Sequence, residues 1–590
     1  MNCGLATVML NRTGSDPSVN TIRDYRQLSG RPPGETDTSG KQISPARGGI
    51  LTDLQQSASA STEHDNGPKF GAPHRSWPVR TNIESTPGAL EDLFSRLASG
   101  KPPKPIAVIS GGSLSGCSTA LELANDGYQV IIAEKRASYT RQNVLSLKTD
   151  AMLYLASLSP DGSLLRDMVR NRLVTPCTHE IVADPNSDTG YKAVPNASVR
   201  FLNWLVAEKA LRPQIPVRDR RADLHAQVQA QDLAGLDDRL RRKPNGAAVE
   251  ALDLAWPRHE PVTAVSPGEW QAPPAEFFGS ENLVLAQVCD LEKSLNTCCL
   301  AHPSIHIVNA AIELQGEPNG EQDYHPVFKL GTGDDQRTFS PRQNIGLICL
   351  AEGASSPNRM LVGGELPPVV TNESWHQGNY VGPSADIGGF NAVDLQDDTI
   401  IVTQHIQRPA QSLVNVSVFH PTDQPPPADD VVNKLHRARA HVNSANVPVE
   451  ISENHRIYDS GPIGIQLRTA RNPMRRNVLQ VGDNAISGSP GGGYGGSVGT
   501  SQFCQLVNDT VNHPDFNSPD PALRHRVEDY YRKGVADIQD VRTGRPTEIL
   551  HRLGAYSHQT VLDSGRQAAL ARFDGLARID LPPPSPENQR

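Results

Sequence analysis

The apolar run Ile106-Ala107-Val108-Ile109 leads into a glycine-bearing turn, then into helix-like periodicity over 118–125, and then into a second apolar run at 130–133. This order predicts strand, turn, helix and strand within about 30 residues. A strand at 305–308, after a helix over 283–300, and buried strands at 345–351 and 478–481 are also predicted. Residues 371–460 read mostly as strands, as at 399–404 and 413–418, and helices over 498–511 and 521–541 close the pattern. The stretch 151–280 has helical segments near 150–158, 200–211 and 222–242 and then a loop rich in Pro and Trp, which reads as an inserted helical cap.

Composition sharpens the division of the 590 residues. Only 37% are hydrophobic and Gly and Pro number 48 each, so part of the chain is expected not to pack. That part is assigned to residues 1–100, a Ser/Thr/Gly/Pro-rich leader expected to be disordered apart from a short helix at 89–97, and to a loose tail at 581–590. One α/β domain is then expected in three pieces, 101–150, 281–365 and 471–580, with the cap at 151–280 and a β-sheet subdomain at 366–470.

Charge and cysteine content exclude several classes. Lys and Arg total 56 against 65 Asp and Glu, a net charge of −9, which disfavours nucleic acid and anionic membrane as partners. The eight cysteines show no CxxC pair, so buried thiols in a reducing compartment are expected and no metal site. Cys298-Cys299 and His306 read as packing residues, and the Arg-rich 218–243 segment, interleaved with Asp, as a solvated helix face. No run reaches the roughly 18 apolar residues of a spanning helix, and the start lacks a basic-then-apolar signal. A cytoplasmic protein without stable membrane insertion is expected, with an unconventional route if it is exported.

Candidate chemistry lies at the ends of the predicted strands. Gly111-Gly112-Ser113-Leu114-Ser115-Gly116 joins strand to helix, and Glu134 ends the next strand. In a dinucleotide site the glycines permit the tight turn and close helix packing, the helix N-terminus takes the pyrophosphate, and the acidic residue takes the ribose hydroxyls. Ser113 replaces the middle glycine, and a Gly-rich turn of another α/β fold remains an alternative. Ala351-Glu352-Gly353-Ala354-Ser355-Ser356-Pro357-Asn358-Arg359 follows a second strand, and could alone be an ordinary strand-end loop. Gly482-Asp483 follows a third, before Pro490-Gly491-Gly492-Gly493-Tyr494-Gly495-Gly496; this pairs a carboxylate with backbone donors, or is simply a flexible loop.

In this order the three segments resemble the class A, aromatic-hydroxylase-like FAD-dependent flavoprotein monooxygenases, over residues 105–555. The middle motif matches at Glu352 (Asp in most members), Gly353, Ser356 and Arg359, and the late motif at Gly482, Asp483, Ala485, Pro490, Gly493 and Gly495. Ser497 and Ile486 stand where the family has Asn and His. Glu134-Lys135-Arg136, with Arg141-Gln142-Asn143-Val144-Leu145, is similar to the MICAL branch, and Gln287 fits the family's flavin-contacting Arg or Gln.

The resemblance implies a Rossmann-like FAD-binding domain of the p-hydroxybenzoate-hydroxylase type, with an inserted β-sheet substrate subdomain and a helical cap. By the same resemblance Gly111, Gly116 and the amides around Ser115 hold the pyrophosphate, and Glu134 the adenosine ribose. Arg136 and Arg141 lie near the adenosine or pyrophosphate, and Asp483 binds the ribityl chain or its neighbourhood. Amides of Gly493 to Gly496 face the flavin pyrimidine edge. The implied reaction uses NADH or NADPH as a transient co-substrate to reduce FAD, adds oxygen at flavin C4a, and hydroxylates an electron-rich small-molecule or protein substrate through the hydroperoxide. The alternative is a flavin-scaffold interaction protein, such as a secreted bacterial effector, with structural or vestigial FAD. A dehydrogenase would differ only in how reduced flavin is used, and a halogenase is disfavoured because its Trp-x-Trp-x-Ile segment is missing.

Overall fold

Ile106–Ser110 lies inside a six-stranded sheet whose order is Met474–Arg475, Val478–Gln480, Ile345–Leu350, Ile106–Ser110, Gln129–Ala133, Ile305–Val308. The last five strands are parallel. Their near-continuous apolar character follows from burial on both faces. The computed structural model describes residues 76–100, 104–205 and 284–538 with short breaks, among them 422–437, 443–455 and 488–498, and all these residues belong to one unit, Phe70–Arg590. No described helix is long and apolar enough to cross a membrane.

Helix Leu114–Asn125 packs on one face of this sheet beside Val288–Ala301 and Gln502–Val511. The second face is covered by helix Pro87–Ser99 and by the three-stranded antiparallel sheet Ala311–Gln315, His325–Leu330, Arg337–Phe339. A further helix at 521–536 follows, as the sequence predicts.

The expected leader ends earlier than the composition suggests. Residues 76–100, assigned above to a disordered leader apart from a short helix at 89–97, are folded. Pro at the first turn and the Thr86 hydroxyl accepting from the Ala89 amide start helix Pro87–Ser99. Leu90, Leu93 and Phe94, spaced by three and four, form its buried face. Ahead of it, Asn82 bonds along the edge strand: its Oδ1 accepts from Ile307 N at 2.7 Å and its Nδ2 donates to Ile305 O at 3.1 Å. The short helix expected at 89–97 is thus present, and the folded segment around it begins earlier than the Ser/Pro-rich composition suggests. Residues 1–75 and 581–590 lie outside the described residues.

Two other expectations are corrected. The insertion is not purely helical: after helices Thr149–Leu158 and Ser163–Arg170 it contributes strands Val174–Ala183 and Tyr191–Pro195, while 206–283 is outside the described residues. The sheet expected as a separate subdomain also extends beyond 366–470. Its eleven strands run from Ile486–Ser487 and Ile463–Thr469 through Val369–Pro383, Gln411–Pro421, Thr399–Gln407 and Gly389–Gln396 into Val174–Ala183, Val284–Gln287 and Val144–Leu147, with Arg456–Asp459 and Tyr191–Pro195 at the side. The helix predicted from residue 283 begins at Val288, because Val284–Gln287 is drawn into this sheet; Gln287 closes that strand at the helix N-cap.

Candidate functional site

Four strands of the parallel sheet end in one row, Gln480, Leu350, Ser110 and Ala133, directly paired across the ladder. Because the strands are parallel, the loops carrying Gly482, Glu352, Gly111 and Glu134 leave from the same edge, at the carboxyl ends where ligands of open α/β sheets bind. The first, middle and late motifs, more than a hundred residues apart in the chain, are therefore neighbours.

The glycines are required by contact. Gly111 has φ +102°, and a Cβ there would lie 2.6 Å from the Ala351 carbonyl oxygen. A Cβ on Gly116 would lie 1.9 Å from the Gly111 oxygen, so helix and turn can approach this closely only without it. Ser113 is the N-cap in extended conformation, but its hydroxyl turns to the Ala351 carbonyl at 3.3 Å and makes no cap bond. Among the described residues the first-turn amides of Leu114–Asn125 thus have no side-chain cap, the condition under which a helix start receives an anion. Ser115 Oγ fills the space between Gly482 and Gly499, where added Cβ atoms would lie 2.4 and 2.5 Å from it.

Glu134 is 2% exposed. Its Oε2 accepts from Gly112 N at 2.8 Å and Arg136 Nη2 at 2.8 Å, and its Oε1 from Arg136 N at 2.8 Å and Nε at 3.1 Å. Burial raises its pKa, but the Arg136 guanidinium and these amides outweigh burial and hold the carboxyl below its ordinary value. Arg136 Nη1 also donates to Glu292 Oε1 at 3.1 Å, and its guanidinium lies over the Tyr139 ring. Glu292, on Val288–Ala301, is fully buried, with no partner for Oε2 among the described residues. Burial pushes its pKa up, and Arg136 and Arg141 offset that only in part.

Glu352 is bound by its own surroundings: Ser110 and Ser356 donate their hydroxyls to it, and Asn358 Nδ2 donates at 3.0 Å. The carboxylate ties the middle loop to the end of Ile106–Ser110. Gly353, at φ +90°, has no described residue where a Cβ would point, and Asn484 Nδ2 reaches its carbonyl at 3.4 Å. Arg359 is buried beneath the loop and donates to the Ala354 carbonyl at 3.2 Å. Asp483 is exposed beside Gly482, which has φ +57°.

Where the parallel sheet meets the large one, neutral amides gather. Gln287 Nε2 and Asn379 Nδ2 each donate to the Gln142 carbonyl at 3.1 Å, and Asn415 Nδ2 donates to Asn379 Oδ1 at 2.6 Å. Asn391, Gln404, Asn415 and Asn379 are directly paired on successive strands and so form one row on one face. Gln404 Nε2 reaches Ser146 Oγ at 2.5 Å. The opposite face carries Tyr380, Phe390, Val414 and Val416 in an apolar core. Gln287 Oε1 is buried without a partner among the described residues, an acceptor suited to a ligand donor.

Of the residues singled out by sequence, Gly111, Gly112, Ser113, Ser115, Gly116, Glu134, Glu352, Gly353, Gly482 and Asp483 come together at the sheet edge. Lys135 and Arg141 are exposed beside Arg136, while Gln287 is displaced to the junction with the large sheet. Pro490, Gly493, Tyr494, Gly495 and Gly496 are outside the described residues, as are the Arg-rich segment at 218–243 and the cap tryptophans. Neither Cys298 nor Cys299 is in a disulfide among the described residues. Sequence reasoning missed Glu292, although a carboxylate adjoining the Val288, Leu291, Leu295 stripe was a visible signal. It also missed Asn379, Asn415 and Gln404, whose shared row depends on strand register.

No protein-family model matches the chain, and no curated protein matches it. Similar solved structures include QhpG, a peptidyl tryptophan dihydroxylase essential for tryptophylquinone cofactor biogenesis, at 12% identity and TM-score 0.46, over 80% of this chain and 78% of that one. PqsL, a probable FAD-dependent monooxygenase from Pseudomonas aeruginosa, gives 12% and 0.46 over 80% and 99%. HpxO from Klebsiella pneumoniae, complexed with FAD, gives 13% and 0.44 over 80% and 94%.

Proposed function

We propose that the chain binds FAD and acts as an NADH- or NADPH-dependent monooxygenase on an electron-rich substrate. The observation that carries this reading is the common edge at which the glycine turn, Glu134, the Glu352 loop and the Gly482-Asp483 loop emerge. The residues present fit FAD: among the described residues the start of Leu114–Asn125 has no side-chain cap, and Gln287 keeps a buried acceptor without a donor.

The uncapped amides at the start of Leu114–Asn125 receive the pyrophosphate and Glu134 the adenosine ribose. Asp483, exposed at the same edge, takes ribityl hydroxyls, and Gln287 orients the ring system from the junction of the two sheets. Bound there, FAD supplies acceptance of hydride from the nicotinamide and activation of oxygen. The amide row Asn391, Gln404, Asn415, Asn379 orients a substrate by neutral hydrogen bonds, and the burial of Gln404, Asn415 and Asn379 excludes water there.

One observation favours the second reading, an interaction protein on a flavin scaffold: Glu134 and Glu352 both spend their acceptors on the chain itself. An absorbance spectrum after reconstitution with FAD, then anaerobic NADPH or NADH, then air, separates the two. Flavin that bleaches and recovers, with reduction or NAD(P)H consumption accelerated by phenols, indoles or thioethers, supports the monooxygenase. Bound flavin that no nicotinamide reduces, with or without these ligands, favours the scaffold. A protein that stays colourless overturns the FAD site.

A further inference from the structure

We propose that Arg136 is an exchangeable occupant of the ribose-binding carboxylate, seated on Glu134 and handed over to Glu292 when a nucleotide diol takes its place. This rests on the dinucleotide reading of the site. A carboxylate offers about four acceptor positions, and Glu134 already receives Gly112 N, Arg136 N, Arg136 Nε and Arg136 Nη2. A vicinal diol brings two O–H donors, so donors must leave before it can bind. The two backbone amides are fixed by the turn and the strand end. The two guanidinium donors can leave by side-chain rotation.

A second seat is already built. Glu292 Oε1 holds Arg136 Nη1 at 3.1 Å, while Oε2 is buried with no donor among the described residues. A guanidinium fork matches a carboxylate with two parallel bonds, so rotation of Arg136 toward Glu292 completes that pair as it vacates Glu134. The Tyr139 ring lies under the guanidinium, with its centroid 5.2 Å away, and the Tyr139 hydroxyl is anchored to the Gly112 carbonyl at 3.1 Å. The ring gives the moving cation a fixed surface. Without Glu292, a diol could reach Glu134 only by leaving Arg136 short of a partner.

The test is equilibrium binding of ADP and of 2′,3′-dideoxy-ADP to the full-length, flavin-stripped protein. The same measurement is made on Glu292→Gln, Arg136→Ala and the double variant. Wild type is expected to prefer ADP by about tenfold, the scale of a charge-assisted hydrogen bond. Glu292→Gln should remove most of that preference by weakening ADP alone, and should have no effect on the ratio once Arg136 is Ala. Arg136→Ala alone should raise the ratio, whether or not Glu292→Gln folds. The hand-over is overturned if Glu292→Gln keeps the wild-type ratio, weakens both ligands equally or acts the same without Arg136, or if Arg136→Ala abolishes the preference. Wild type that binds neither ADP nor FAD overturns the dinucleotide reading, and the hand-over with it.

Discussion

A Cβ added to Gly116 would stand 1.9 Å from the carbonyl oxygen of Gly111, closer than any unbonded pair of heavy atoms tolerates. Helix Leu114–Asn125 and the turn before it can therefore coexist only with glycine at this position. Gly116→Ala is expected to destabilise the protein by about 3 kcal/mol or more and to abolish flavin retention. At Gly112 a Cβ would meet Glu134 Cβ at 3.2 Å, so Gly112→Ala should be milder. Urea unfolding and flavin content of both variants check the order.

Ser115 separates two superficially similar glycines. Among the described residues an added Cβ at Gly499 meets only the Ser115 side chain, 2.5 Å from Oγ but 3.8 Å from Cβ, so Ser115→Ala should restore the stability lost in Gly499→Ala. At Gly482 the added Cβ also lies 3.0 Å from Ser115 Cβ, and the backbone has φ +57°. There Ser115→Ala should recover only part of the loss, leaving about 1 kcal/mol or more from the backbone conformation. Equal rescue at both positions would refute this account.

Glu134 and Glu292 share Arg136 but should act oppositely with pH. The lowered pKa of Glu134 contributes stability that is present above its unfolded value and is lost as pH falls through the folded one. Glu134→Gln should thus be less stable than wild type near neutral pH, with the gap closing in acid. The raised pKa of Glu292 contributes stability that is present below its unfolded value and lost as pH rises through the folded one. Glu292→Gln should gain on wild type as pH rises above the ordinary carboxylate range. Urea midpoints from about pH 2 to 8, spanning both sides of the ordinary Glu value, read both trends.

Phe94 lies in the short helix expected within an otherwise disordered leader, and its ring meets those of Phe328 and Phe339 at 5.9 and 5.6 Å between centroids. Phe94→Ala is expected to cost about 3–5 kcal/mol. A variant unfolding at the wild-type urea midpoint would mean that helix Pro87–Ser99 is not part of the core.

The strand, turn and helix at 106–125 were legible in the sequence because their causes are local: apolar runs, glycines where the backbone closes on itself, and a helical repeat. The acidic residues at strand ends were legible for the same reason. Glu292 was not assigned a role, because it meets Arg136 across 156 residues, and nothing in either neighbourhood announces the other. Nor was the junction legible: Gln142 receives Asn379 from 237 residues away, and the amide row exists only once strand register places Asn391, Gln404, Asn415 and Asn379 side by side. Local sequence determined which turns could approach a phosphate, since steric freedom and helix ends are properties of neighbouring residues. Which carboxylate holds Arg136, and which strands share one sheet, were decided by long-range packing, where burial brings distant groups together and their hydrogen bonds must then be met by whatever lies beside them.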